Sequence, residues 1–401
     1  MANKETILKL CQALKGIASA KIDTSSEILH HMSDQIWKNP ELSSKEEKAH
    51  HLLTSLLENQ GFTVERSYTG IETAFRATFG SGRPNVCVIC EYDALPEIGH
   101  ACGHNLIAEA GVAAGLGLKA VLESSNAPKG MLTVMGTPAE EYGGGKIDMI
   151  DNGAFDGIDL AMMVHPAVSD ILAPGYLACS QFSVAFTGKA AHAAAFPWEG
   201  VNALDAAVMA YTSISALRQQ MKPTWRVHAI ISDGGTKPNI IPELSKMELF
   251  ARTSIKSELP LLVEKVQQCL KGAAEATGCT HEITQNSKPY YDLLSNKILL
   301  DLYKNNWSAL GVEAPLTGSS SGSTDMGNVS YVMPSIHPKF RVGPGNVPGI
   351  HTEKFTVIAN TPDAHRMTLI AAKAMAHTCV DVLTDQKLMT EINEEFKSSS
   401  V

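Results

Sequence analysis

The sequence of 401 residues has no excess of positive charge, because 33 lysines and arginines stand against 42 aspartates and glutamates and the formal net charge is −9. A surface of this sign argues against nucleic acid or an anionic membrane as a partner, since both attract basic proteins. Long apolar runs are also lacking. The most apolar internal stretch, around Ala110 to Leu118, is short and rich in glycine, so we expect no membrane-spanning helix.

We expect neither a secretory signal nor a disulfide framework in this sequence. Lysines interrupt each apolar run of the opening stretch MANKETILKLCQALKGIASAK. The eight cysteines are scattered, so we expect reduced thiols in a cytoplasmic protein. Cys87 and Cys90 form a C-x-x-C pair inside an apolar strand. Residues three apart on a strand point to opposite faces, which favours core packing over a redox or zinc role.

The order of the predicted elements divides the chain into three segments. Apolar strands such as RPNVCVICEYD and GMLTVMGT alternate with helices over residues 1–178, and the same texture returns over residues 291–401. This alternation predicts an α/β catalytic domain with a mixed, mostly parallel sheet covered on both faces. Residues 179–290 follow the order β-α-β-β-α-β, which predicts an inserted α+β domain of the ferredoxin-like type. We interpret the insertion as a lid.

Three predicted strands of the catalytic domain each release metal-capable side chains at their carboxyl ends. VCVIC runs into Glu91 and Asp93, LTVMGTPA runs into Glu140 and Glu141, and AMMV runs into His165. Ligands of an open parallel sheet collect beyond the carboxyl ends of its strands. We therefore expect these side chains to meet at one site.

The loop GHACGHN follows the first of these strands and adds soft metal ligands. Cys102 and His104 are side chains that bind zinc-like ions, and Gly103 allows the loop to bend between them. The role of His100 stays open between ligation and hydrogen bonding.

The adjacent pair Glu140–Glu141 suits a hydrolytic metal centre. Neighbouring side chains seldom reach the same atom, so one carboxylate can bind a metal while the other takes a proton from a metal-bound water. Amide hydrolysis needs such a general base. The alternative for this pair on its own is a solvated acidic turn before the GGG run.

Seven stretches, in chain order, resemble the aminoacylase and carboxypeptidase G family of two-metal peptidases: EYDALPEIGHACGHN, GTPAEEYGGGKIDMI, VHP, GKAAHAAAFPWEGVNALDAA, NIIP, GSTDMGNVS and HTEKF. The resemblance implies a catalytic domain of the zinc-exopeptidase type and a lid that also forms a homodimer. It further implies two divalent metal ions. The cysteine ligand favours zinc by its softness, and manganese stays open.

The resemblance also implies roles for single residues of the catalytic domain. Glu140 is similar to the general base of the family. The implied metal ligands are Cys102, His104, Glu141, His165 and His351. One departure is that Glu91-Tyr92-Asp93 stands where many members have H-x-D, so a histidine ligand is absent there. Asp93 is then expected in the catalytic site as a residue that orients a ligand.

In the insertion, the resemblance implies residues that hold the substrate. His192 of GKAAHAA resembles a histidine that reaches across the dimer and polarises the scissile carbonyl, and Asn239 of NIIP resembles its partner in the oxyanion site. Arg252 resembles a residue that binds the terminal carboxylate of the substrate. Ser323 and Thr324 of the GSTDMG loop are expected to line the substrate-facing wall.

The function implied by the resemblance is metal-dependent hydrolysis of dipeptides with a basic C-terminal residue: lysine, arginine or ornithine, with β-alanyl and γ-aminobutyryl dipeptides included. The alternative on the same two-metal site is an amidohydrolase of the acylamino-acid or p-aminobenzoyl-glutamate type. Small dipeptides or acyl-amino acids are thus the expected substrates, with neither nucleic acid nor membrane as a partner.

Two readings from other classes are disfavoured. GSSSG matches G-x-S-x-G, and Ser320, Asp325 and His351 come in the order of a hydrolase triad. A nucleophile elbow needs a strand directly before the serine and a helix directly after it, whereas APLTG precedes and the strand-like SYVMPSIHP follows. A dimeric scaffold with a dead site would have no use for Glu140.

Overall fold

The computed structural model describes residues 4–318 and 322–399. The chain divides into two compact units. Unit 1 contains the described residues of Met1–Gly175, Leu293–Ser319 and Asp325–Val401, and unit 2 contains those of Tyr176–Asp292 and Ser320–Thr324.

Both units combine helices and strands. The strands are β1 Thr63–Arg66, β2 Phe75–Ser81, β3 Asn85–Cys90, β4 Gly130–Gly136, β5 Leu160–Met162, β6 His165–Ala167, β7 Ala178–Thr187, β8 Arg226–Asp233, β9 Leu244–Thr253, β10 Thr280–Gln285, β11 Ser335–Ile336 and β12 Lys339–Arg341. The α-helices are α1 Lys4–Thr24, α2 Ser26–Lys38, α3 Glu47–Asn59, α4 His104–Leu122, α5 Gly145–Asp151, α6 Ala203–Ala216, α7 Leu259–Thr277, α8 Lys297–Ala309, α9 Met326–Ser330, α10 Glu353–Ile358, α11 Pro362–Thr384 and α12 Gln386–Ser399.

Unit 1 is built on a six-stranded sheet with the order β1-β2-β4-β3-β5-β11. Strand β2 runs antiparallel to both of its neighbours, and the pairs β4/β3, β3/β5 and β5/β11 are parallel. The prediction of a mixed, mostly parallel sheet is therefore confirmed. Every residue of β3 is buried, which is why its sequence is an almost continuous apolar run.

The central helix of unit 1 is α4, which packs against α1, α2, α11 and strand β3. Gly111 permits this approach, because an added Cβ would lie 2.5 Å from the Sγ of Cys90 and 2.7 Å from the carbonyl oxygen of Ile89. Helix α4 has 19 residues and is therefore longer than the apolar stretch around Ala110 to Leu118 that it contains. By length and composition alone it could cross a membrane, but 83% of its most apolar window is buried within the protein.

The C-x-x-C pair lies in the core of unit 1, as the strand pattern predicts. Cys87 and Cys90 are fully buried and belong to two different hydrophobic clusters, one on each face of the sheet. Burial raises the pKa of both thiols above the usual value. Neither thiol is in a disulfide.

Unit 2 has an antiparallel four-stranded sheet with the order β10-β7-β9-β8. Along the chain its elements run β7, α6, β8, β9, α7, β10, which is the predicted β-α-β-β-α-β order. Phe182, Val184 and Phe186 are buried at alternate positions of β7 and form a core with α6 and α7. That this unit acts as a lid and a dimerisation domain stays a prediction.

Candidate metal centre and active site

The predicted site residues of unit 1 follow neighbouring strands of the sheet. Strand β3 ends at Cys90, one residue before Glu91 and three before Asp93. Its parallel neighbour β4 ends at Gly136, and Glu140 and Glu141 stand in the following turn. The carboxyl ends of parallel neighbours lie at the same edge of a sheet, which brings these segments side by side.

The predicted metal ligands of unit 1 come together at this edge. The Sγ of Cys102 lies 3.5 Å from the Nε2 of His165, and the Nε2 of His351 lies 3.5 Å from the Oε1 of Glu141. Donor atoms of Cys102, His104 and His165 all lie within 4.8 Å of one another, and the same holds for Cys102, Glu141 and His351. The structure thus places five candidate ligands around one centre.

The ring of His104 is held by a buried carboxylate. Its Nδ1 lies 2.9 Å from the Oδ1 of Asp93, while the Oδ2 of Asp93 accepts hydrogen bonds from the hydroxyl of Ser43 at 2.8 Å and the backbone N–H of Glu141 at 3.0 Å. Burial alone would raise the pKa of Asp93, but these contacts hold it well below the usual range. Asp93 therefore contacts both His104 and the turn that carries Glu141, and its role as a residue that orients a ligand stays a prediction.

Several buried donor atoms at the centre have no hydrogen-bond partner among the residues that the structure describes. They are the Nε2 of His104, the Oε2 of Glu91 and the Oε1 of Glu141. Nε2 of His104 lies 3.6 Å from Glu91, 3.8 Å from Glu141 and 3.9 Å from Glu140. These distances are too long for hydrogen bonds. They match the spacing of two ligands on one divalent ion, which is about 3 to 4 Å, so the residues fit a metal.

The electrostatics of the centre favour a cation as well. Burial, together with the carboxylates of Glu91 and Glu141, raises the pKa of Glu140 well above its usual value. Burial would lower the pKa of His104, but the negative groups of Cys102 and Asp93 raise it instead. Without a cation these groups would retain protons. A bound divalent ion would release them and leave Glu140 able to accept one.

His100 lies outside the cluster of donors. Its side chain is buried, and its Nε2 lies 3.1 Å from the carbonyl oxygen of Ile36. Burial lowers the pKa of His100 to about 3, so the ring is neutral. Of the two roles that the sequence leaves open, the structure supports hydrogen bonding.

Lys146 is a charged residue at the centre that sequence reasoning missed. Its ammonium is fully buried and contacts the Oε1 of Glu91 and, at 2.7 Å, the Oδ1 of Asp325. Burial would lower the pKa of Lys146, but the two carboxylates raise it, so the ammonium stays charged. The only signal in the sequence was the position of this lysine directly after the GGG run.

The contacts of Lys146 also bear on the serine-hydrolase alternative. Asp325 accepts hydrogen bonds from both the backbone N–H and the ammonium of Lys146, and His351 faces Glu141. Ser320 lies outside the described residues. The prediction of a strand over SYVMPSIHP is wrong for most of that stretch. Helix α9 begins at Met326, and strand β11 is only two residues long. A Ser-His-Asp triad is disfavoured because Asp325 is paired with Lys146 rather than with His351.

The predicted substrate residues of unit 2 form two local pairs. The Nδ1 of the exposed His192 accepts hydrogen bonds from the backbone N–H groups of Ala194 and Ala195 at 3.3 and 3.2 Å, so in the neutral ring the proton is on Nε2. The N–H of Ala193 donates to the carbonyl oxygen of Asn239 at 3.1 Å, which joins the two segments. The Nε2–H group of His192 is thereby available as a donor.

Arg252 and Ser323 are the second pair in unit 2. A guanidinium N–H of Arg252 donates to the hydroxyl of Ser323 at 2.7 Å, and the guanidinium lies 5.4 Å from the ring centroid of Phe250. Thr324, the next residue, is buried.

Comparison with known proteins identifies the family. The sequence model of peptidase family M20/M25/M40 matches residues 48–374. The chain belongs to this family. The family and its dipeptidase relatives indicate that this M20 protein is a hydrolase that acts on peptide bonds.

The Xaa-Arg dipeptidase of Mus musculus is 47% identical to this M20 chain, over 96% of the chain and 93% of the relative. One of the p-aminobenzoyl-glutamate hydrolase polypeptides of Escherichia coli is 31% identical over 91% of both proteins. The crystal structure of the Bacillus subtilis YXEP protein, described as a dinuclear metal binding peptidase from the M20 family, aligns with a TM-score of 0.68. It is 20% identical, covers 90% of this chain and 99% of its own, and shows the shared fold.

Proposed function

We propose that this M20 peptidase is a metal-dependent dipeptidase that cleaves dipeptides with a C-terminal lysine, arginine or ornithine, including those that begin with β-alanine or γ-aminobutyrate. The observation that carries the proposal is the 47% identity with an Xaa-Arg dipeptidase over nearly the whole of both chains. The converging donors of unit 1 support the metal dependence, because they offer Cys, His and carboxylate ligands of the kind that zinc prefers.

The side chains of unit 1 divide the work of hydrolysis. When bound, two divalent ions supply Lewis acidity and an activated water. The residues that would hold them are Cys102, His104, Glu141, His165 and His351. The thiolate of Cys102 favours zinc over manganese. Glu140 takes the proton of the attacking water and passes it to the leaving amine.

The residues of unit 2 would bind the substrate. His192 presents an Nε2–H donor, which suits an oxygen that becomes negatively charged as the amide is attacked, and Asn239 assists it. Arg252 offers a planar guanidinium for the terminal carboxylate of the dipeptide, with Ser323 and Thr324 beside it.

We further propose a cytoplasmic homodimer that forms through unit 2 and places His192 of one subunit in the site of the other. Strand β8 lies at the edge of its sheet, with 59% of Ile230 exposed, and helix α6 exposes Val208 and Tyr211. An unpaired strand edge beside apolar side chains is suited to a second copy of the chain. The proposed compartment rests on the eight free thiols.

The dimer has a direct test. His192→Gln and Glu140→Gln variants are each expected to be inactive, and mixing them under exchange conditions should restore part of the activity. A mixed dimer contains one site with both native residues only if His192 acts across the interface. If mixtures stay as inactive as their components while native mass spectrometry of differently tagged variants shows that subunits exchange, His192 acts within its own subunit or not at all.

The substrate class is tested by a panel of β-alanyl-lysine, glycyl-arginine, acetyl-methionine and p-aminobenzoyl-glutamate. We expect the two basic dipeptides to give the highest kcat/KM, and a chelator to abolish their hydrolysis until metal is restored. The second candidate function is a p-aminobenzoyl-glutamate-type amidohydrolase, favoured by the 31% identity with the E. coli protein. Preference for either acyl substrate would decide for that class.

A further inference from the structure

Lys146 is an uncommon element of a metal centre, because it places a fixed positive charge beside groups that would bind cations. It is the second residue of the short helix α5 and has no exposed surface. Asp325 holds it twice, through the backbone N–H at 2.9 Å and the ammonium at 2.7 Å. The ammonium is therefore immobilised, and what it does depends on its other partner, Glu91.

The carboxylate of Glu91 uses its two oxygens differently. Oε1 accepts a hydrogen bond from the ammonium of Lys146. Oε2 is buried, lies 3.6 Å from the Nε2 of His104 and has no hydrogen-bond partner within residues 4–318 and 322–399. A buried carboxylate oxygen without a donor is costly, so a feature of the functional protein is expected to compensate it.

The group that faces this oxygen cannot provide a proton in the metal-loaded protein. Nδ1 of His104 is bonded to Asp93, so in the neutral ring Nδ1 carries the hydrogen and Nε2 carries a lone pair. Nε2 and Oε2 face each other across 3.6 Å in a buried site, and two ligands of one divalent ion are spaced by about 3 to 4 Å. An ion bound to the Nε2 of His104 would satisfy both.

A simpler reading is that Lys146 is only the counter-ion of Glu91 and that the pair is structural. That reading accounts for Oε1 alone, because Oε2 faces His104 and has no hydrogen-bond partner among the described residues.

We propose that Glu91 is an additional ligand of the metal centre through Oε2, and that Lys146 is the positioning residue that holds Oε1 and so directs Oε2 to the ion. This inference rests on the metal dependence contained in the proposed function, but not on the substrate class. It raises the number of candidate protein ligands beyond the five above. The proposal also explains why Lys146 is buried between carboxylates, because the ammonium orients Glu91 and neutralises Asp325.

Metal binding, measured without substrate, tests the proposal. Chelator-treated protein is titrated with Zn²⁺ against a chromophoric chelator, and with Co²⁺ for its visible absorption. We expect Glu91→Gln to lower the affinity for one of the two ions about tenfold or more and to alter the absorption spectrum of the Co²⁺ form. Glu109→Gln is a matched control, because Glu109 is also fully buried with an unpaired Oε2 but contacts His365. It should bind metal like the wild type.

The Lys146→Met variant distinguishes two roles of the lysine, which are orienting the carboxylate of Glu91 and repelling the metal ion. If Lys146 only repelled cations, its removal would tighten metal binding, whereas loss of the orienting contact should weaken it. The double variant Glu91→Gln/Lys146→Met should then be no weaker than Glu91→Gln alone, since both changes remove the same ligand. Tighter binding by Lys146→Met would overturn the positioning role.

Folding is checked by circular dichroism and thermal unfolding of each variant. Should Glu91→Gln unfold, Glu91→Asp keeps the charge but withdraws the oxygen, and it is expected to bind metal more weakly than the wild type. Wild-type affinity for both ions in a folded Glu91→Gln or Glu91→Asp protein would overturn the ligand assignment. A wild-type enzyme that prefers acyl substrates would overturn the proposed substrate class and leave this result unaffected.

Discussion

His104 and Asp93 form a buried pair in which the Nδ1 of the imidazole lies 2.9 Å from the Oδ1 of the carboxylate. The contact fixes which ring nitrogen carries the proton and turns the Nε2 lone pair towards the other donors. The second oxygen of Asp93 accepts the N–H of Glu141. One carboxylate therefore contacts both His104 of the GHACGHN loop and the turn that carries Glu140 and Glu141.

Asp93→Asn should weaken metal binding without unfolding the protein. The substitution keeps the shape but removes the charge that stabilises the donating Nδ1–H, and comparable changes behind metal ligands cost about 10- to 100-fold in affinity. Competition with a chelator measures the effect. Asp301→Asn, at an exposed position of α8, serves as the control. Equal affinities of the two variants would contradict the role given to Asp93.

Glu140→Gln should abolish hydrolysis while leaving metal content unchanged. The amide cannot accept a proton from the attacking water, and loss of a general base lowers kcat by about 10²- to 10⁴-fold. Metal analysis of the purified variant and kcat on glycyl-arginine are the two measurements. If the variant kept wild-type turnover, another group would have to be the base.

Much of the centre could be predicted because parallel strands end at one edge of a sheet. The rule led from VCVIC and LTVMGTPA to Glu91, Asp93, Glu140 and Glu141, and the order β4-β3-β5 places their segments together. It could not place His351, which follows no strand. The resemblance alone supplied this residue, and the structure joins its backbone N–H to the carbonyl oxygen of Ala101 at 2.8 Å.

Lys146 and strand β2 show where a single sequence is insufficient. A lysine in a short helix is ordinarily solvated, and its burial here depends on Glu91 and Asp325, which are remote in the chain. The antiparallel direction of β2 likewise depends on its pairing with β1 and β4 rather than on its own residues. Local patterns report the burial of a strand but not the identity of its neighbour.

Gly103→Ala should destabilise the metal-binding loop. Gly103 has a φ of +80°, and an added Cβ would lie 2.6 Å from the Cγ of Pro166. The combined strain is expected to cost about 1 to 3 kcal/mol and to weaken metal binding. Gly16→Ala is the control, because no atom of the described part of the chain lies within 4 Å of the added Cβ in helix α1. Denaturant unfolding of both variants measures the difference, and equal stabilities would refute the argument.

His377 should make the metal-free protein less stable as the pH falls. Its side chain is buried between the hydroxyl of Ser19 at 2.9 Å and the carbonyl oxygen of Lys15 at 3.1 Å, and burial lowers its pKa to about 4. In the unfolded chain the imidazole of His377 is protonated below about pH 6.5, whereas in the folded chain it stays neutral down to about pH 4. The free energy of unfolding is therefore highest above pH 6.5 and declines towards pH 4, by about 1 to 3 kcal/mol. His377→Gln should reduce the shift of the urea midpoint between pH 7 and 4.5, whereas His31→Gln, at an exposed site, should not. An unchanged pH dependence in His377→Gln would assign the acid lability to other groups.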